Sequence, residues 1–132
     1  MEIGKHRDQG YALFCIGLAL LACHELDAVS KFEWRLLPIL STFEDETGLA
    51  AFILLHIPIF AVVFWATGHT NKIVRWRSQV GVDLFLLAHG LIHFVLSDHA
   101  LYEFEPPIET ITVYGGALVG IIHLVLLFRS RP

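Results

Sequence analysis

Four long apolar segments, separated by short polar connections, dominate the pattern of the chain. They cover residues 10–28, 48–67, 77–97 and 110–128. Each has close to the roughly 20 residues that an α-helix needs to cross the ~30 Å hydrocarbon core of a bilayer. The pattern therefore predicts an all-α protein: a polytopic transmembrane four-helix bundle that forms a single transmembrane domain over residues 1–132.

The connection between the first two spans mixes apolar and charged residues. Its sequence, "SKFEWRLLPIL", places aromatic and aliphatic side chains beside Lys31, Glu33 and Arg35. Such a mixture is typical of a short helix that lies in the membrane interface, with a tryptophan at the level of the lipid headgroups. We therefore predict a short interfacial helix between spans 1 and 2, with Trp34 as its headgroup anchor.

The composition of the chain agrees with a membrane protein. Hydrophobic residues make up 55% of the sequence and charged residues only 17%, whereas about a quarter of the residues in soluble domains are charged. Seven of the nine Lys and Arg residues lie in the N-terminal tail, the connection between spans 2 and 3, and the C-terminal tail. The positive-inside rule then predicts that both termini are cytoplasmic.

The two connections on the outer side are acidic, with "FEDET" in the first and "YEFEPPIE" in the second. An acidic face does not suit nucleic acid or anionic lipid headgroups as a partner. The predicted partners are the lipid bilayer and a lipid or small amphiphilic substrate. The sequence leaves open whether the chain forms a homo-oligomer or joins a larger membrane complex.

Histidines from three predicted spans fall at similar depths in the membrane. Counted at 1.5 Å of rise per residue, His24, His56, His89 and His93 lie about 2 to 9 Å on the outer side of the midplane. His89 and His93 are four residues apart and share one helix face. Asp27 shares a face with His24 in the same way. Imidazoles with a carboxylate and no thiolate suit Zn²⁺ or non-haem iron, so we predict these five residues as metal ligands.

The favoured functional hypothesis is a metal-dependent membrane enzyme, either a hydrolase or an oxidoreductase. Its substrate is expected to be a lipid or a small amphiphile that reaches the outer half of the membrane. Glu25 and Glu33 are the candidate general bases, acting on water whose pKa the metal ion lowers.

Two other hypotheses stay open. A four-helix bundle can hold haem between two axial imidazoles, here His56 with His89 or His93, which would make the protein an electron carrier. The chain can also be an accessory subunit without chemistry, in which the polar residues form hydrogen bonds between helices.

Asp83 and His123 form a separate pair of polar residues. Both fall about 6 Å on the cytoplasmic side of the midplane, on spans 3 and 4. We predict that the two are neighbours, because His123 then relieves the cost of burying Asp83. A structural role is the favoured interpretation, and a proton relay is the alternative.

Two runs of the chain, "HELDAVSKFEWR" and "LLHIPIF", resemble a family of small bacterial four-helix integral membrane proteins of unknown function. Those proteins carry a His-Glu-(Ile/Leu)-Asp-Ala motif, a Glu-Trp-Arg motif and a Leu-His-(Ile/Leu)-Pro motif. The matching positions here are His24, Glu25, Asp27, Ala28, Glu33, Trp34, Arg35, His56 and Pro58. The resemblance covers the first half of the chain. It implies a multi-pass protein of the bacterial inner membrane and no particular activity.

The H-x-x-x-H spacing of His89 and His93 also resembles membrane desaturases and hydroxylases. This second resemblance is local, because the further histidine-rich motifs of those enzymes are missing.

Overall fold

The computed structural model describes the backbone of residues 2–129 and the side chains of residues 10–129. Four long helices make up most of this range, and its described residues contain no strand. The helices are α1 (Glu2–Ser30), α2 (Asp45–Thr67), α3 (Lys72–Leu96) and α4 (Gly115–Arg129), the last preceded by a π-helical turn at Thr110–Tyr114. The predicted all-α class is confirmed.

All four helices are long and apolar enough to cross a membrane. The candidate spans are Gly10–Ser30, Asp45–Thr67, Lys72–Leu96 and Thr110–Arg129. Their bounds lie within about five residues of the predicted ones, with the charged ends of α2 and α3 accounting for most of the difference. The chain therefore has the helices of a multi-pass membrane protein.

The bundle is built around α4, which packs against both α1 and α3. Glycine allows this close approach: a Cβ atom at Gly120 would lie 3.2 Å from the carbonyl oxygen of Asp83 on α3. Helix α2 packs mainly against α3 and the connection that precedes it. As a result one flank of α2 has little protein beside it.

The connection between α1 and α2 folds back over the end of the bundle. It contains two short 3-10 helices, Glu33–Leu36 and Leu40–Thr42, and Phe32 before the first has a left-handed backbone with φ 56°. That residue reverses the chain directly after α1. Arg35 then fixes the connection to the start of α2, with its Nη2 atom 2.6 Å from Oδ2 of Asp45.

Trp34 does not face the headgroups, so the expectation of an interfacial anchor at this residue is wrong. Its side chain is only 2% exposed and packs with Ala28, Phe52 and Phe104. The indole lies so close to α2 that a Cβ atom at Gly48 would be 2.8 Å from it. Burial of Trp34 holds the connection against the bundle and turns the preceding residue, Glu33, inward.

Asp83 and His123 are neighbours, as predicted. The Nδ1 atom of His123 lies 2.7 Å from Oδ2 of Asp83, and the two residues are 3% and 1% exposed. Asp83 precedes His89 by six residues on α3, so the pair is separate from the site described next.

Candidate metal centre

Three histidines and one glutamate meet at the end of the bundle that the two long connections cover. His24 comes from α1, His89 and His93 come from α3, and Glu33 comes from the first connection. Each offers one nitrogen or oxygen ligand atom, and these four atoms lie within 4.8 Å of one another. We call these four residues the histidine–glutamate cluster.

The cluster is tightly packed. The Nε2 atom of His24 lies 3.2 Å from Oε2 of Glu33, and Nε2 of His93 lies 3.9 Å from Oε1 of the same carboxylate. The centroid of the His24 ring is 4.7 Å from that of His89 and 4.8 Å from that of His93. Both oxygens of Glu33 therefore face imidazole nitrogens.

Several polar atoms of the cluster are buried without a hydrogen bond. Among the described residues, no partner with hydrogen-bond geometry exists for either nitrogen of His24, for Oε2 of Glu33 or for Nε2 of His89. Buried polar atoms are almost always paired in folded proteins, because an unpaired one costs about 1–3 kcal/mol. Nε2 of His24 and Oε2 of Glu33 face each other at 3.2 Å, whereas Nδ1 of His24 and Nε2 of His89 have no such neighbour among these four atoms.

The charge of Glu33 suits a cation. Burial raises the pKa of this carboxyl group, but the adjacent imidazoles, His24 above all, outweigh that effect and hold the pKa below its usual value. The group is therefore ionised at neutral pH and has the charge that an anionic ligand needs.

Tyr102 and Glu109 fix the orientation of His93 from outside the cluster. The Tyr102 hydroxyl donates its hydrogen to Oε1 of Glu109 and lies 2.7 Å from Nδ1 of His93. Because that hydrogen is already given to the carboxylate, the hydroxyl accepts from His93, whose Nδ1 atom must carry the proton. The lone pair of a neutral His93 is then on Nε2, the nitrogen that faces Glu33.

The hydroxyl of Tyr102 stays protonated, as this arrangement requires. Burial and the neighbouring Glu109 carboxylate both raise the pKa of this phenol. A carboxylate that orients a ligating imidazole through its second nitrogen is a regular feature of metal sites.

Phe104 closes the cluster at the end of the bundle that the two long connections cover. Its ring is stacked on His24 with centroids 5.3 Å apart, lies 4.8 Å from that of His93, and is 6% exposed. The connection between α3 and α4 thus acts as a cover for the site.

The residues predicted as ligands divide into two groups. His24, His89 and His93 come together as expected, and Glu33, predicted as a base, joins them. His56 lies elsewhere, with its Nε2 atom 2.8 Å from Oε2 of Glu25 and its Nδ1 atom 2.6 Å from the carbonyl oxygen of Phe52. The structure therefore brings Glu25 together with His56 and leaves both outside the cluster.

Asp27 also lies outside the cluster. Its Oδ1 atom accepts a hydrogen bond from the Ser30 hydroxyl at 3.3 Å, and its Oδ2 atom is buried without a partner among the described residues. It does not hold either nitrogen of His24, since neither has a hydrogen-bond partner among the described residues.

Sequence reasoning missed Tyr102, Phe104 and Glu109. All three belong to the run "YEFEPPIE", which was interpreted only as an acidic outer surface. A signal was present, since an aromatic residue and a carboxylate flank the proline pair that returns the chain to α4. The run contains several glutamates, however, and composition does not tell which one is buried.

Comparison with known proteins gives a family and no activity. The sequence matches a family of unknown function, DUF6713, over residues 11–130. This agrees with the expectation of an uncharacterised protein family. No curated protein and no solved structure matches the chain.

Proposed function

Because the chain belongs to this family of unknown function, we propose its role from the cluster itself: it is an integral membrane protein that binds a metal ion, Zn²⁺ or non-haem iron. His24, His89, His93 and Glu33 are the proposed ligands. The observation that carries the proposal is the convergence of four ligand atoms within 4.8 Å, in a site where several of them have no other partner.

The donor set and its spacing support these metals. Three imidazole nitrogens and a carboxylate oxygen are ligands for Zn²⁺ and for non-haem iron. Two ligands bound tetrahedrally at the usual zinc distances lie about 3.3 Å apart, close to the 3.2 Å between His24 and Glu33. The remaining ligand atoms need to move inward by only about an ångström or two to complete such a shell.

The proposed activity is a metal-dependent hydrolysis or oxidation of a lipid or small amphiphile. The metal would supply Lewis-acid activation at the reacting atom. Since Glu33 belongs to the ligand group, Glu25 is the better candidate for a general base. It follows His24 directly, and its Oε2 atom lies 2.8 Å from Nε2 of His56, which gives it an acid–base partner.

The alternatives have less support. A porphyrin lies between its two axial imidazoles, whereas the rings of His24, His89 and His93 contact one another, and both nitrogens of His56 have partners. An accessory subunit would use its buried histidines for hydrogen bonds between helices. The cluster instead contains imidazole nitrogens without such bonds.

Elemental analysis and a visible spectrum of the detergent-purified protein test the proposal together. We expect zinc or iron at one ion per chain and no Soret band. A Soret band would favour the haem alternative. Protein that contains no metal and takes up neither Zn²⁺ nor Fe²⁺ would favour the accessory subunit.

Replacement of Tyr102 by phenylalanine is expected to weaken metal binding by about 10–100-fold, the usual effect of losing a group that orients a ligand. The change removes the hydroxyl between His93 and Glu109 and leaves all four proposed ligands in place. Competition with a zinc chelator measures the affinity. Tyr11→Phe is the matched control, because Tyr11 is exposed on α1. Equal affinities in the two variants would contradict the role of Tyr102.

Both chain termini are expected to be cytoplasmic, which places the cluster in the outer half of a bacterial inner membrane. An even number of spans puts the termini on one side, and the distribution of Lys and Arg selects that side. Reporter fusions at the C-terminus and in the connection between α1 and α2 measure the orientation. A C-terminal fusion that reports a periplasmic location would reverse the assignment.

A further inference from the structure

An apolar cavity of about 370 Å³ lies between α1, α2 and α3. Its size falls within the ~300–1,000 Å³ range of ligand pockets. The cavity is open beside α2. Only 11% of the apolar segment of α2 is buried, whereas 28% of the apolar segment is buried in each of the other three helices. The lining residues Ile59, Val62 and Phe85 are 52%, 62% and 48% exposed, so the cavity opens on the lipid-facing side of the bundle. We call it the flank cavity.

One end of the flank cavity carries the pair Glu25 and His56. The Nδ1 atom of His56 must carry a proton, since its partner, the carbonyl oxygen of Phe52, can only accept. The Nε2 atom of His56 lies 2.8 Å from Oε2 of Glu25, so both nitrogens of the imidazole are engaged. A bound polar group can therefore reach the pair through the other carboxylate oxygen of Glu25.

The other end of the cavity has hydroxyl groups that are already engaged. Thr67 donates to the carbonyl oxygen of Val63 and Ser78 donates to that of Val74. From His56 to Thr67 the cavity follows α2 for eleven residues, or about 16 Å. This is roughly half of the hydrocarbon core of a bilayer and suits one hydrocarbon chain lying along the helix.

We propose that the flank cavity binds a single-chain amphiphile whose polar group is an uncharged hydroxyl. The hydroxyl donates a hydrogen bond to the Glu25 carboxylate beside His56, and the hydrocarbon chain lies along α2 toward Thr67. The inference rests on the proposed function in that it names the substrate class that the metal centre serves.

Charge and depth both select an uncharged polar group. None of the described residues that line the cavity is Lys or Arg, so a phosphate or carboxylate would have no counter-ion. His56 is the middle residue of α2 (Asp45–Thr67), which puts a bound polar group near the centre of the bilayer. A charged group is expensive at that depth, and a hydrogen-bonded hydroxyl is not.

The polar end of the cavity adjoins the histidine–glutamate cluster. Glu25 directly follows His24 of the cluster on α1. The ring of Phe85 in the cavity wall lies 5.3 Å from that of His89. A hydroxyl held by Glu25 is therefore next to the proposed metal ligands.

Labelling with a photoreactive long-chain alcohol tests this inference on the full chain in lipid nanodiscs. We expect labelled peptides from α2 and α3, and competition by dodecanol but not by dodecanoate. Gly81→Leu should abolish labelling: a Cβ atom at Gly81 meets nothing within 4 Å, so the leucine extends into the cavity. Gly10→Leu is the matched control, because its Cβ position is equally open and lies outside the cavity. Glu25→Leu should weaken binding by about tenfold, the effect of one lost hydrogen bond.

Labelling that persists in Gly81→Leu, or equal competition by dodecanoate, would overturn the inference. So would crosslinks between the α2 helices of two copies that exclude the probe, since a second chain would then occupy the flank. Metal analysis of the same samples separates this inference from the proposed function. Protein that contains metal but is not labelled by the alcohol would contradict the cavity assignment alone. Protein that binds the alcohol but never a metal contradicts the metal centre alone.

Discussion

Replacement of His24 by alanine is expected to remove the bound metal, whereas replacement of His56 by alanine is expected to leave it in place. His24 is at the centre of the cluster: its ring contacts those of His89 and His93, and its Nε2 atom faces Glu33. Without it two imidazoles and one carboxylate remain, one ligand short of the four that the site offers. Metal content per chain, measured after dialysis against a weak chelator, should fall from one ion to a trace.

His56→Ala is a demanding control because the two histidines are similar by sequence. Both lie in the outer half of a span by depth, and both were candidate ligands. The structure separates them, since His56 uses its two nitrogens on Glu25 and on the carbonyl oxygen of Phe52. Metal loss in His56→Ala, or full metal content in His24→Ala, would show that the ligand set is wrong.

Single replacements of Asp83 or His123 by leucine are expected to cost about 3–5 kcal/mol of unfolding free energy. Each change leaves the partner buried without its hydrogen bond, in a site where both residues are almost fully inaccessible. The double change Asp83→Leu with His123→Leu should cost much less, because it replaces a polar pair by apolar contacts with residues such as Phe14. Equilibrium unfolding in mixed micelles measures all three variants.

Two results would contradict this account of Asp83 and His123. Additive losses in the double variant would mean that the two side chains do not interact. Loss of metal in any of the three folded variants would mean that the pair contributes to the cluster. We expect the metal content to stay unchanged, because neither residue belongs to the ligand group.

The sequence predicted the helices well because apolar length alone determines a membrane span. It also predicted that His24, His89 and His93 meet. Depth follows directly from residue count along a helix, and the spacing of His89 and His93 puts both on one face. Depth along a helix and position on a helix face depend only on the residues of that helix, so both can be calculated from the sequence.

The sequence could not predict the rotation of the helices about their axes. His24 and Glu25 are adjacent on α1 and therefore point about 100° apart. His24 belongs to the cluster, whereas Glu25 contacts His56 of α2. The depth of His56 along its helix was compatible with the cluster, but His56 lies on the side of α1 that carries Glu25.

The remaining parts of the site depend on how the connections fold. Glu33 reaches the cluster because Phe32 reverses the chain and Trp34 is buried beside it. Tyr102 and Glu109 reach His93 because the second connection covers the end of the bundle. Hydropathy describes both connections only as amphipathic or acidic. The sequence therefore predicted Glu33 at the site only as a base, and it did not predict Tyr102 or Glu109 there.

X-ray absorption at the metal edge of the zinc-loaded protein measures the ligand set of the cluster directly. We expect a first shell of nitrogen and oxygen atoms at about 2.0–2.1 Å, with the outer-shell scattering of three imidazoles and no sulfur near 2.3 Å. The same spectrum recorded on His56→Ala protein should be unchanged. The chain also has two free cysteines, Cys15 and Cys23. A sulfur ligand from either of them, or a shell with fewer than three imidazoles, would contradict the proposed metal centre.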